Sequence, residues 1–325
     1  MYPSFMRLLR ARPPVFRVVM LALLCLAAGP APRAAGERAA GAQDMHPTIR
    51  AEVELVNLVF TAADRKGRVV EGLGPNDFEL FEDGKRQEIE YFSDPGKGSD
   101  IPLTIALLVD TSGSVRRKLE YEQAAAAQFF RDILRPDRDL ALIIQFDSEV
   151  NLVQDFTQDP EALYRALATL RAGNNTALYD AVYLAAEEKL KGEAGRKVIV
   201  VLTDGADTSS LVKKETAIEA AQKNDILIYG IGVHDSRFAA DFGVLRKFAR
   251  ETGGEFFSPK ARIEEIGDAF RSIQRDIRGH YSLGYTPSNR LRDGAFRKIE
   301  LRAKRSGVRV RTRSGYYAPR PSPRR

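Results

Sequence analysis

A chain of 325 residues with 44% hydrophobic and 29% charged residues carries enough apolar material for a sizeable core, and reads as an ordinary globular protein of one or two domains. Its one cysteine, Cys25, lies in an N-terminal segment with leader-like features, so the mature chain is expected to hold no disulfide, thiol nucleophile or cysteine metal site. The net charge of +6 divides unevenly: residues 1–42 hold six Arg against Glu37, residues 290–325 hold thirteen Lys or Arg against Asp293 and Glu300, and 43–289 are left at −10.

Residues 1–42 read as an export signal. Arg7, Arg10, Arg12 and Arg17 precede the apolar stretch Val18 to Ala28, which is too short to span a bilayer comfortably. Ala40-Gly41-Ala42 offers an A-x-A cleavage site, with cleavage nearer Ala34 or an uncleaved N-terminal anchor as alternatives. All of these place the body outside the cytoplasm, periplasmic or extracellular, and the mature chain is expected to have no transmembrane span.

Residues 46–93 lack helical periodicity and are expected to form a β-domain. Ala51–Thr61 is rich in Val, Leu and Phe, and Phe78–Glu82, Asp83-Gly84 and Arg86–Phe92 read as a hairpin around a D-G turn. A Pro/Gly/Ser linker, 93–100, leads into 101–278, where strands and helices alternate. Strands are expected at Leu103–Val109, Leu140–Phe146, Asn151–Phe156 (a short edge), Lys197–Leu202, Ile226–Val233 and Glu255–Phe257. Helices are expected near Arg116–Leu134, Asp159–Leu170, Ala177–Leu190, Val212–Lys223, Asp241–Arg250 and Ile263–Arg278. That alternation argues for an α/β fold, a doubly wound and mostly parallel sheet with helices on both faces. A C-terminal β-segment, 279–318, holds His280–Tyr285, Phe296–Ala303 and Val308–Arg313. It is expected to join the N-terminal strands in a small β-sandwich, because domain termini often lie close together. Residues 319–325, rich in Pro and Arg, read as a disordered tail. The basic end either meets an anionic partner, such as an envelope polymer, or is the solvated face of Arg-rich strands; export argues against nucleic acid.

The chemistry gathers where the first α/β strand ends. Asp110, Ser112 and Ser114 follow Val109 at alternate positions, at the carboxyl edge where open α/β sheets bind ligands. Thr176 follows Gly173-Asn174-Asn175 just before a helix, and Asp204 follows the β-branched strand ending at Leu202. Two carboxylates and three hydroxyls are hard oxygen donors suited to Mg²⁺ or Mn²⁺. The alternative is that the serines and Thr176 cap the helices behind them. Asp207 reads either as support for the site or as a loop and N-cap residue. His46, His234 and His280 have no companion at metal-ligand spacing. A nucleophile elbow, a P-loop and a dinucleotide fingerprint are all lacking, and Gly230-x-Gly232 has no third glycine.

The motifs D-T-S-G-S at 110–114, N-N-T-A-L-Y-D-A at 174–181 and V-L-T-D-G at 201–205 resemble the von Willebrand factor type A (VWA) domain and its metal-ion-dependent adhesion site. G-L-G-P-N-D-F-E-L-F-E-D-G-K at 72–85, Y-S-L-G-Y-T-P at 281–287 and R-S-G-Y-Y at 313–317 resemble the flanks of a secreted bacterial branch first catalogued in Acidobacteria. The resemblance implies that Ser112 and Ser114 bind the metal directly and that Thr176 binds it directly or through water. It also implies that Asp110 and Asp204 act largely through waters. The expected protein is non-enzymatic and exported, engaging a partner's carboxylate through the metal. Two alternatives stand beside it. One is a metal-dependent hydrolase or phosphoryl-transfer enzyme with Asp110 as nucleophile; the other is a binder of anionic polymer through the basic C-terminal strands.

Overall fold

Alternation of apolar and polar residues shapes the first strands of the chain, which the computed structural model describes over residues 55–95, 101–205, 207–234 and 242–321. The expected export signal, 1–42, lies outside these residues. Strand β1, Val56–Ala63, buries Val56, Leu58 and Phe60 on one face. Strand β2, Phe78–Glu82, likewise buries Phe78, Leu80 and Glu82. Asp83 and Gly84 both adopt left-handed φ, 47° and 79°, as a two-residue type I′ turn requires, and return the chain into β3, Lys85–Gln87. The expected continuous strand Arg86–Phe92 is instead two strands in different sheets. After Gln87 the chain crosses over and β4, Tyr91–Ser93, pairs elsewhere. The crossing puts the Phe92 ring 5.7 Å from Phe78 and 6.2 Å from Phe60, filling the space between the sheets.

Strand β5, Leu103–Asp110, is buried along its whole length. A tight 3₁₀ turn, Gly113–Arg117, follows and delays the helix α1 to Leu119–Ile133, three residues later than the periodicity suggests. Strands β6, Leu140–Phe146, and β7, Val150–Thr157, come next, then helix α2, Pro160–Thr169. Asp159 caps α2 by accepting from the Glu161 N–H at 2.9 Å, with Pro160 in the first turn. Helix α3, Leu178–Leu184, widens into a π turn over Ala185–Lys189. The remaining elements are β8, Arg196–Thr203; α4, Lys214–Lys223; β9, Ile226–Gly232; α5, Gly243–Thr252; β10, Phe256–Phe257; and α6, Ile263–Arg278. Four antiparallel strands close the chain: β11, Tyr281–Tyr285; β12, Phe296–Ala303; β13, Arg309–Thr312; and β14, Gly315–Tyr317. The last of these was not expected as a strand. Among the described residues no helix is long and apolar enough to cross a membrane.

The central sheet runs β10-β9-β8-β5-β6-β7, parallel except for the edge strand β7. Because β5 is covered on both faces, its side chains divide between two cores. Leu103, Ile105, Leu107 and Val109 pack with α1, α2 and α6, while Ala106 and Leu108 pack with α3, α4 and α5. Each fully buried Leu or Ile contributes about 1.5–3 kcal/mol. That near-continuous apolar run therefore fixes β5 at the centre and delivers Asp110 to the carboxyl edge.

The strands from the two ends of the chain make two further four-stranded sheets, β13-β1-β11-β4 and β14-β12-β2-β3. They share one core in which Phe60 lies 5.0 Å from Phe78, edge on, and 5.2 Å from Tyr281, stacked. Glu82 sits inside this core, where its Oε2 accepts from the Tyr285 hydroxyl at 2.7 Å and the Tyr316 hydroxyl at 3.0 Å. Helix α5 ends at Gly253, φ 91°, against β13; a Cβ there would meet the Arg313 nitrogen at 2.8 Å. The arginines of the last strands are not a uniformly solvated face. Arg311 and Arg313 turn inward to acids of the α/β unit, and Arg297 and Arg302 pair with Asp293 and Glu300.

Candidate metal centre

Parallel β5 and β8 place Asp110 and Asp204 side by side at the carboxyl edge of the sheet, with Val109 in register with Leu202. Asp110 is fully buried. Its Oδ1 accepts from the Ser112 N–H at 2.7 Å, and its Oδ2 accepts from the Thr203 hydroxyl. Burial pushes its carboxyl up to about 6, against the hydrogen bonds from Thr203 and Ser112, with the neighbouring Asp204 charge adding to the rise.

The 3₁₀ turn holds the serines at the rim. Ser112 Oγ and Ser114 Oγ lie 3.0 Å apart, and the Ser114 hydroxyl donates to Asp204 Oδ1 at 2.7 Å. Ser112 makes no side-chain capping bond, and α3 is entered through Ala177, not Thr176, so the capping alternative does not describe these side chains. Thr111 donates its N–H to the Phe146 carbonyl at 2.8 Å, which ties the turn to β6.

The loop 173–176 lies against that turn. Gly113 N donates to the Asn174 carbonyl at 2.9 Å, and Gly173 N donates to the Thr111 carbonyl at 2.5 Å. A Cβ at Gly173 would collide with the Asp147 carboxylate and sit 3.1 Å from the Asp147 Cβ, so a larger residue there would force that side chain aside. Thr176 is buried, its N–H donating to the Thr208 hydroxyl at 2.9 Å and its carbonyl accepting from Thr208 N at 2.8 Å. Among the described residues, no hydrogen bond joins the Thr176 side chain to the serines or Asp204. Asp207 serves the loop reading, accepting from Tyr179 N at 3.2 Å and from the Ser210 hydroxyl at 2.5 Å.

Two charged residues at the site were missed from sequence. The Lys118 ammonium stands 2.5 Å from Asp204 Oδ2, with the side chains 8% and 5% exposed. Glu122 is fully buried, and among the described residues neither carboxylate oxygen has a hydrogen-bond partner. Burial holds its carboxyl well above the ordinary range, helped by the charges of Asp110 and Asp204 and opposed by Lys118. A signal was available: Ser114, Lys118 and Glu122 recur every fourth residue, and Glu122 interrupts the apolar stripe of Leu119, Ala126, Phe130 and Ile133.

The donor set fits a hard divalent ion. Among the described residues no three His, Cys, Asp or Glu side chains gather as a metal cluster, so any ion here meets hydroxyl oxygens beside at most two carboxylates. Lys118, drawn onto Asp204, marks the spot as one that attracts positive charge. Of the histidines, His280 is fully buried beside Tyr229 and Asp276, far along the fold; His234 Nε2 lies 3.3 Å from the Ser258 carbonyl; His46 is outside the described residues.

The sequence model for the von Willebrand factor type A domain matches residues 104–271. An uncharacterized protein of Borreliella burgdorferi is 26% identical over 192 residues, 55% of this chain and 56% of the relative, so the chain spans about half the length of the curated relative it matches. Proximal thread matrix protein 1 from the mussel byssus is 14% identical with a TM-score of 0.50, over 61% of this chain and 51% of that one. A von Willebrand factor type A structure from Catenulispora acidiphila is 14% identical with a TM-score of 0.48, over 83% and 74%. The first of these two structures is a likeness of fold alone.

Proposed function

The chain belongs to the von Willebrand factor type A domain family, and from that premise we propose that it is an exported, non-enzymatic binding protein that engages an acidic group of its partner through Mg²⁺ or Mn²⁺. One observation carries the reading: Ser112, Ser114 and Asp204 converge at a rim where a positive charge is already drawn in, with Asp110 anchored behind them. In this reading Ser112 and Ser114 hold the ion through their hydroxyls, and Thr176 holds it directly or through water. Asp110 and Asp204 orient waters and supply charge. When bound, the ion supplies Lewis acidity, which neutral hydroxyl ligands leave available for a partner carboxylate. The Thr203 hydroxyl and the Ser112 N–H keep Asp110 in one orientation, and the Gly113–Asn174 bond keeps the Thr176 loop against the serines.

Binding fits better than group transfer, because the Asp110 carboxyl is buried and each of its oxygens already accepts a hydrogen bond, which holds it back from a substrate. The basic C-terminal strands are a weaker candidate surface, since Arg297, Arg302, Arg311 and Arg313 already face carboxylates. Export rests on the leader-like pattern of 1–42. Calorimetric titration of Mg²⁺ and Mn²⁺ tests the site: the wild type is expected to bind, and Asp110→Ala to bind at least about tenfold more weakly. Equal binding by the two proteins overturns the assignment.

A further inference from the structure

Lys118 and Glu122 stand one turn apart at the start of α1, where Glu122 N donates to the Lys118 carbonyl at 3.1 Å. Side chains four residues apart share a helix face and can meet. In the structure they do not pair. The ammonium rests on Asp204, and Glu122 lies wholly buried with both oxygens unpartnered. A buried acid without hydrogen bonds is destabilising, and a Leu or Met would fill the space without that cost. The carboxyl sits where the charges of Asp110, Asp204 and Lys118 all reach it, and Lys118 is the one cation among them.

A divalent ion at Ser112, Ser114 and Asp204 and an ammonium on the same Asp204 carboxylate would repel each other across a few ångströms in a poorly solvated rim. Lys118 must then give way. Its side chain is nearly all buried, and the acidic acceptor one turn away on its own face is Glu122.

We propose that Lys118 is a resident counter-cation with two stations, resting on Asp204 when the site holds no divalent ion and passing to Glu122 when it does. The proposal rests on the reading of the rim as a divalent-cation site. Lys118 thereby sets the concentration at which that site fills, and Glu122 lowers this threshold by receiving the ammonium. Both act as positioning residues and neither is a ligand.

The test is calorimetric titration of Mg²⁺ and Mn²⁺ into the full chain as wild type, Lys118→Met, Glu122→Gln and the double variant, with thermal unfolding to confirm that each is folded. Lys118→Met is expected to bind about tenfold more tightly than wild type, and Glu122→Gln about tenfold more weakly. In the Lys118→Met background the Glu122→Gln effect is expected to vanish, a non-additivity that a merely structural role for Glu122 would not produce. If Lys118→Met does not fold, Lys118→Gln, which keeps a donor for Asp204 without the charge, takes its place. Binding by the wild type with no gain in the Lys118 variant, or an unchanged Glu122 effect in the double variant, overturns the two-station proposal and leaves the metal site standing. No binding by wild type or by the Lys118 variant overturns the metal site itself, and the proposal with it.

Discussion

Two clusters of buried charge sit toward opposite edges of the central sheet, and they are built on different principles. At the carboxyl edge, Asp110, Asp204 and Glu122 lie around one lysine, which pairs with Asp204, and among the described residues Glu122 has no hydrogen-bond partner. Toward the other edge, where α6 ends and the flanking strands dock, Asp276 is saturated. It accepts from the Thr61 hydroxyl at 2.9 Å and the Tyr229 hydroxyl at 2.5 Å, pairs with Arg311 at 2.5 Å, and has His280 at 3.4 Å. Arg311 reaches on to Glu255 at 2.8 Å, so one guanidinium ties β13 to both α6 and the loop before β10. Burial alone would raise the Asp276 carboxyl, but His280, Arg311 and Tyr229 outweigh it and hold it well below the usual range. Burial also pushes His280 down, against the pull of Asp276. A saturated cluster fixes one arrangement, whereas one with an unused carboxyl can accept a second.

The sharpest way to break this comparison is to remove the cation from each. Arg311→Met strands a buried carboxylate and is expected to cost roughly 3–5 kcal/mol in urea denaturation. Lys118→Met leaves the Asp204 side chain, 5% exposed, with the Ser114 hydroxyl still donating to it, and is expected to cost less, about 1–3 kcal/mol. Equal losses would mean that the two clusters are alike. Next in size, Glu122→Leu removes an unsatisfied buried acid, so the metal-free protein is expected to gain about 1 kcal/mol or more in denaturant midpoint analysis; a loss would show that Glu122 is satisfied.

The smallest effect is in pH, where the clusters oppose each other. His280 is lowered from 6.5, so the unfolded chain takes up a proton first and its contribution to stability is lost as pH falls below about 6.5. Asp110 is raised from 3.8 to about 6, so the folded protein takes up the proton first. Its contribution is complete below about 3.8 and lost as pH rises through about 6. Melting temperatures of metal-free protein between pH 7 and 5 are therefore expected to fall less in His280→Gln, and more in Asp110→Asn, than in wild type.

Much of the fold was legible because burial of β5 on both faces demands an unbroken apolar run, and because α6 carries its apolar residues at helical spacing from Ile266 to Ile277. The five proposed metal-site residues stood out in the sequence because each follows a strand or precedes a helix that the pattern marks. Hidden were the partners. Nothing local says that Lys118 reaches Asp204, 86 residues away, or that Thr203 turns its hydroxyl to Asp110 and not to solvent. The split of Arg86–Phe92 was hidden too, since a three-residue strand has no period and Phe92 is placed by rings from β1, β2 and β11.

The sequence by itself determined the alternation of strands and helices, the D-G hairpin and the type and order of the oxygen donors, because these depend on periodicity and on side-chain chemistry. Only the tertiary structure decided which arginines are spent internally, which strands from the two chain ends pair with which, and that the site holds a lysine with one acid in use and another idle. Those outcomes depend on long-range pairing and desolvation, which exist only once the sheets are assembled.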